Sequence, residues 1–362
     1  MSSKSSIAHL SRFVSKDIPK NIPKKLESLY SFGIKAFTTQ PLVSCNSNAR
    51  IAHPGSRGAA EQQMYRLLRH PKLFLLVWRA VAHYSPLKET DLVNVDYSNL
   101  GPLAILGFAK QTRSGRAQPV LMRALASNTQ GQRKAHPKYE KLKKAYIDWK
   151  KTLDANQFTF VIKSLHLLRY LYGCQPRLVF DRGFANKTIV QFLCDKQWTF
   201  YIRTRESFWV RVGGELVKAE SLGNGSHQVK WAGRDVRLVV TKPRKRYTSP
   251  WYILTNDTTS SIETITKYYY FRFEIEESFR DIKTLCRLRH SRLHNWKSLR
   301  TVLVFMSLAL IAALTDRKFR KVLKFEHARI NSHKKLSIIR MWQEHISRYF
   351  LDKGFRLVIG DV

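Results

Sequence analysis

The 362-residue chain carries 64 Lys and Arg against 26 Asp and Glu, a formal net charge of +38, with 44% hydrophobic residues. That apolar content excludes a disordered basic tail, and the cations recur along most of the chain instead of gathering on one amphipathic anchor, so the charge points to nucleic acid and away from a membrane surface. Cys45, Cys174, Cys194 and Cys286 lack Cys-x2-Cys pairing, which argues against a structural zinc site or a disulfide framework and reads as reduced, intracellular thiols.

The N-terminus has no continuous apolar stretch behind its basic residues, so no signal peptide is expected. Residues 1–90 are helix-prone and polar, with a Ser/Asn/Gly-rich loop over Ser44–Gly58, and read as a small helical domain. Leu92–Tyr97, Leu103–Phe108 and Pro119–Leu125 are short β-prone runs that predict a three-stranded antiparallel meander. Helices are expected over Lys138–Lys151 and Gln157–Tyr172, a buried strand over Arg177–Phe180, a helix over Asn186–Asp195 and a strand over Trp198–Arg203. This order is that of a ribonuclease-H-like mixed α/β sheet.

Residues 204–256 turn β-rich, with strands expected at Phe208–Val212, Gln228–Trp231, Val236–Thr241 and Trp251–Leu254 and a basic loop containing Lys242, Arg244, Lys245 and Arg246. They read as an all-β insertion that splits the α/β domain into 91–203 and 257–315. The apolar run Val302–Leu314 is too short to span a bilayer and predicts a buried helix. Residues 316–362 form a basic helical C-terminal region.

Three acids stand out. Asp96 sits inside an apolar strand pattern, where its short polar side chain is disfavoured. Asp181 closes the strand RLVF just before Gly183, at the carboxyl edge where open α/β sheets place their ligands. In Tyr269–Lys283, uniform helical spacing puts Tyr269, Arg272, Glu276 and Lys283 within about 60° of one another. Glu274, Glu277 and Asp281 project elsewhere, and Glu277 and Asp281 are expected to tolerate replacement. Two sheet carboxylates and one helix carboxylate suit Mg²⁺ or Mn²⁺, not zinc, and the flanking cations suit phosphates. Asp91, the alternative first acid, precedes the apolar run instead of lying within it.

On these residues the chain resembles the DDE transposases of bacterial insertion sequences, specifically the insertion-sequence-four family. The family's Tyr-x2-Arg-x3-Glu-x6-Lys signature falls on Tyr269, Arg272, Glu276 and Lys283, VFDRGF at 179–184 resembles the second-Asp motif, and VNVDYSN at 93–99 the first. The resemblance spans about 92–314. It implies catalysis by Asp96, Asp181 and Glu276 holding two metal ions, with cleavage at terminal inverted repeats and joining of 3′ ends to target DNA. It further implies phosphate contacts by Tyr269, Arg272 and Lys283, joined by Arg182, and a homodimer on double-stranded DNA, acting in the cytoplasm at the nucleoid. The N-terminal helices and the loop from Lys242 to Arg246 are the expected end-binding surfaces. The rival readings are a catalytically inactive transposase-derived DNA-binding protein and a ribonuclease-H-like DNA nuclease.

Overall fold

A computed structural model of the protein describes residues 24–38, 45–53, 55–100, 103–113, 115–126, 156–242, 249–288, 293 and 295–315. The helix expected over 138–151, the loop residues Arg244, Lys245 and Arg246, and the tail 316–362 lie outside them.

The N-terminal part is helical: α1 Lys24–Thr38, α2 Cys45–Ala52, α3 Arg57–Arg69 and α4 Leu73–Tyr84. Ser56 starts α3 by accepting a hydrogen bond from the Ala59 amide at 3.3 Å, satisfying one of the orphan donors of its first turn. Then come β1 Leu92–Leu100, β2 Leu103–Lys110 and β3 Gln118–Ala126, the expected meander with each strand a few residues longer. Next are α5 Gln157–Tyr172, β4 Arg177–Phe180, α6 Lys187–Asp195 and β5 Phe200–Thr204. Asn156 and Asn186 cap α5 and α6 from their side chains, and Gly173 ends α5 in the left-handed conformation.

The segment read as an insertion holds β6 Trp209–Val212, β7 Glu215–Lys218, β8 Gly225–Trp231 and β9 Arg234–Val240, and β10 Tyr252–Thr255 returns to the core. These strands do not stand apart. They extend one ten-stranded sheet of order β3-β2-β1-β4-β5-β10-β9-β8-β6-β7, because β10 pairs antiparallel with both β5 and β9. Within the first five strands β1, β4 and β5 are parallel and β2 and β3 antiparallel, a mixed order compatible with a ribonuclease-H-like domain.

After β10 the chain forms α7 Ile262–Tyr270, a 3-10 turn Phe271–Phe273, α8 Glu274–Arg280 and a π turn Asp281–Leu285, followed by α9 Trp296–Thr315. The helix α9 packs on β3 and on the N-terminal helices. Phe305 at its centre lies 6.2 Å from the Tyr30 ring and 6.1 Å from that of Phe37. The N-terminal helices thus share the main hydrophobic core with the sheet. Among the described residues no helix is long and apolar enough to cross a membrane.

Candidate active site

Asp96 and Asp181 meet through strand register. Val95 of β1 pairs with Phe180 of β4 in parallel, so the next residue on each strand, Asp96 and Asp181, emerges at the same sheet edge. Asp96 lies opposite Gly107 in the antiparallel β1–β2 ladder, and both face the helix α8. The absence of a side chain at Gly107 matters there: a Cβ would stand 2.6 Å from Phe279 Cζ and 3.5 Å from Ile275 Cδ1. Phe279 and Ile275 belong to the apolar stripe of α8, so Gly107 lets that stripe close onto the sheet and brings Glu276, one residue after Ile275, toward the carboxylates.

Arg272 joins the pieces. Its Nη1 donates to Asp96 Oδ2 at 3.1 Å and its Nη2 to Glu276 Oε1, so one guanidinium bridges strand and helix carboxylates. The Tyr269 hydroxyl stands 3.5 Å from Asp181 Oδ1. Tyr269 is itself held by an edge contact with Trp251 at 5.2 Å, and Arg203 lies over the same indole. Tyr269, Arg272 and Glu276 are therefore assembled with both sheet acids. Lys283 falls in the π turn, and the 3-10 turn at Phe271–Phe273 interrupts the segment a second time. The segment is thus not one uniform α-helix: the even spacing that assigns Lys283 to the face of Glu276 is interrupted on both sides of α8.

The electrostatics follow from this crowding. Burial pushes the Asp96 carboxyl up to about 6, with the charges of Asp181 and Glu276 adding to it, while Arg272 and the Tyr97 amide, which donates to Asp96 Oδ1 at 2.7 Å, pull the other way. Burial likewise lifts the Tyr269 hydroxyl to about 12. Burial works against the charge of Arg272, but Tyr269, Asp96, Asp181 and Glu276 outweigh it and hold the guanidinium more firmly protonated than usual. Asp91, by contrast, lies before β1, where its Oδ2 accepts from Lys110 Nζ and from the Lys88 amide, both at 2.8 Å. That is a turn-closing role.

Several supporting residues carried no signal in the sequence. Asn94, fully buried on the same face as Asp96, donates to the Phe271 carbonyl at 3.1 Å and accepts from Gln111 Nε2 at 2.7 Å, which also reaches the Tyr268 carbonyl at 2.9 Å. This buried pair ties β1 to the turn from which Tyr269 and Arg272 project. Glu274, fully buried, accepts from the amides of Thr112 and Gly115 at 2.9 and 3.0 Å and so straps α8 to the β2–β3 loop. Asp281, expected to tolerate replacement, is buried against Arg116 Nε at 2.6 Å, and Glu277 lies 3.3 Å from Arg116 Nη1. That expectation is corrected: these acids do project away from Glu276, but into the structure, because the hairpin loop rises beside the helix.

Arg182 is exposed just beyond Asp181 and lines a cleft of about 300 Å³ with Arg203, Arg205 and Tyr252. Lys242 is exposed at the start of its loop. A groove of about 940 Å³ in the N-terminal helices is lined by Lys24, Lys25, Arg66, Arg69, Tyr65 and His70. Cys286 is buried, which pushes its thiol up to about 12, and His290 lies outside the described residues.

Asp96, Asp181 and Glu276 are hard oxygen donors at one sheet edge, and their chemistry fits a divalent ion of the Mg²⁺ type. With the Arg272 guanidinium between Asp96 and Glu276, no three His, Cys, Asp or Glu side chains among the described residues are gathered tightly enough to share one ion. Residues 145–312 match the family model of the transposase DDE domain. The match supports a DDE transposase; it takes in Asp181, Glu276 and the intervening strands, and begins beyond Asp96. No curated protein matches the chain.

Proposed function

We propose that the protein is a transposase of the insertion-sequence-four type, which cleaves at the terminal inverted repeats of its element and joins the 3′ ends to target DNA. The observation that carries this reading is the Arg272 bridge between Asp96 and Glu276, beside Tyr269 and Asp181, with Arg272, Glu276, Tyr269 and Asp181 all inside the segment matching the DDE domain.

Asp96, Asp181 and Glu276 would hold Mg²⁺ or Mn²⁺, expected as a pair of ions. Bound there, the metal supplies Lewis-acid activation of a water or 3′-hydroxyl and stabilisation of the leaving oxygen. The chain's own groups do the rest. Arg272 is a planar two-pronged donor whose fork matches a phosphate as well as it matches the two carboxylates, so it can pass from one to the other as DNA enters. Tyr269, whose hydroxyl stays protonated at neutral pH, donates to a phosphate oxygen without adding charge. Arg182 and Arg203 line the cleft past Asp181, where the DNA backbone continues, and Lys283 is the remaining phosphate contact. The groove lined by Lys24, Lys25, Arg66 and Arg69 supports end binding by the N-terminal helices, and Lys242 with Arg244, Lys245 and Arg246 would add a second basic contact. Action as a homodimer on two DNA ends, in the cytoplasm at the nucleoid, completes the reading.

The test is incubation of the protein with duplex DNA carrying the sequences that flank its reading frame, in Mg²⁺ and in EDTA. Cleavage at the repeat boundary with free 3′-hydroxyls, followed by joined products, is expected in Mg²⁺ alone. Binding of those ends without cleavage in either Mg²⁺ or Mn²⁺ would replace this reading with that of an inactive DNA-binding descendant.

A further inference from the structure

Among the described residues, the sheet beyond α7 is buried on one face and exposed on the other. The face of Asp96 can be followed strand by strand: Asn94 is level with Val179, Val179 with Tyr201, Tyr201 with Thr255, Thr255 with Arg237 and Arg237 with Gln228. It continues through Lys230, which pairs with Arg211, to the outermost hairpin, where Arg211 pairs with Leu216 and Trp209 with Lys218. On the opposite face Val210 and Val229 are buried, whereas Trp209, Arg211, Leu216, Lys218, Gln228 and Lys230 are all exposed. Trp209 is 50% exposed and Leu216 54%.

Two features of this face call for an anionic, flat partner. Arg211 and Lys230 are directly opposed exposed cations, an arrangement that costs stability in a sheet unless an anion lies across it. Asp235 opposite Lys230 and Glu220, 3.3 Å from Lys218, offset part of that charge and leave Arg211 without an acid across the ladder. An indole exposed between cations, with Lys218 Nζ 5.7 Å from its ring centre, is the construction on which unpaired bases stack while neighbouring cations take their phosphates. A duplex would leave the indole unused, since its bases are already stacked on one another. A two-fold contact centred on this face would bring a second set of the same cations against it.

We propose that this outer hairpin face binds unpaired DNA, with a base on Trp209 and the backbone on Arg211, Lys218 and Lys230. It lies five strand spacings, roughly 24 Å, from the strand of Asp181, far enough to hold a strand separated from the duplex at the reacting end. The proposal rests on the transposase reading for the source of that strand, but not for its chemistry.

The experiment measures binding of the full chain to a labelled single-stranded oligonucleotide and to the same sequence as duplex, by fluorescence anisotropy across a salt series. Trp209→Ala should lower single-strand affinity at least fivefold and leave duplex affinity within twofold, and Trp209→Phe should recover most of the loss. The double variant Arg211→Ser, Lys230→Ser should flatten the single-strand plot of log K against log salt by about 1.4. Because these side chains are exposed, melting temperatures should match wild type, and the Phe and Ser variants carry the test if Trp209→Ala folds poorly. Unchanged single-strand affinity overturns the proposal, as does an equal loss on both DNAs or a change of oligomeric state alone. A wild-type protein that never cleaves its ends, yet loses single-strand binding in Trp209→Ala, would sink the transposase reading and leave this one standing.

Discussion

Gly107 and Phe279 share a space that admits only one side chain: a Cβ on Gly107 would stand 2.6 Å from the tip of the Phe279 ring. Phe279 is buried and cannot rotate away cheaply, so Gly107→Ala should shift α8, and Glu276 with it, relative to Asp96. Overpacking of this kind costs about 1–3 kcal/mol. The variant should melt lower and cleave DNA more slowly even at temperatures where it is fully folded. Adding Phe279→Leu should restore both, whereas recovery of stability without activity would separate the contact from the alignment of the site.

Arg116 and Asp281 predict an asymmetry between two partners of one ion pair. Asp281 is buried, and burial raises its carboxyl in spite of Arg116, so removing the cation strands a carboxylate. Arg116→Ala should cost about 3 kcal/mol by chemical denaturation, Asp281→Ala about half that, and the double variant less than Arg116→Ala alone. Glu276→Ala, at an exposed position on the same helix, should leave stability nearly unchanged.

Asp96 yields a pH dependence. Its carboxyl lies near 6 in the folded protein against 3.8 ordinarily, so ionising it costs folding free energy; the cost is absent below about pH 4 and complete above about pH 6. In EDTA, Asp96→Asn should therefore be more stable than wild type at pH 7.5, by about 1–3 kcal/mol, with the gap closing toward pH 4. Thermal melts across this range measure it, and an Asn variant less stable at pH 7.5 would show that the Arg272 bridge outweighs the burial of the acid.

Where hydrophobic period and turn residues spoke together, the sequence was legible: β1 to β5, α5 and α6 lie within a few residues of expectation, and α9 contains the apolar run expected to be helical but begins six residues before it. The β7 strand was missed because ELVK is four residues long with charges at both ends and no turn signal beyond the glycines before it. Joining of the β-rich segment to the main sheet depends on β5–β10 pairing across about fifty residues, which no local pattern encodes. The site divides the same way. Glu276 and its cation neighbour Arg272 are four residues apart and visible on a wheel, but the bond from Arg272 to Asp96 spans 176 positions. The roles of Asn94, Gln111 and Glu274 come from the same long-range packing, and the turns on either side of α8 shift the geometry that even spacing assigns to Lys283.

The most direct test of the account is DNA cleavage in Mg²⁺ by four single variants, Asp96→Ala, Asp181→Ala, Glu276→Ala and Asp91→Ala, on duplex carrying the element's ends. The first three should lose cleavage by at least a thousandfold while binding the same DNA and melting no lower than wild type by more than a few degrees. Asp91→Ala, which loses only its bonds to Lys110 and the Lys88 amide, should still cleave. Cleavage that survives Asp96→Ala and disappears in Asp91→Ala would contradict the assembly of Asp96, Asp181 and Glu276 as the reacting centre.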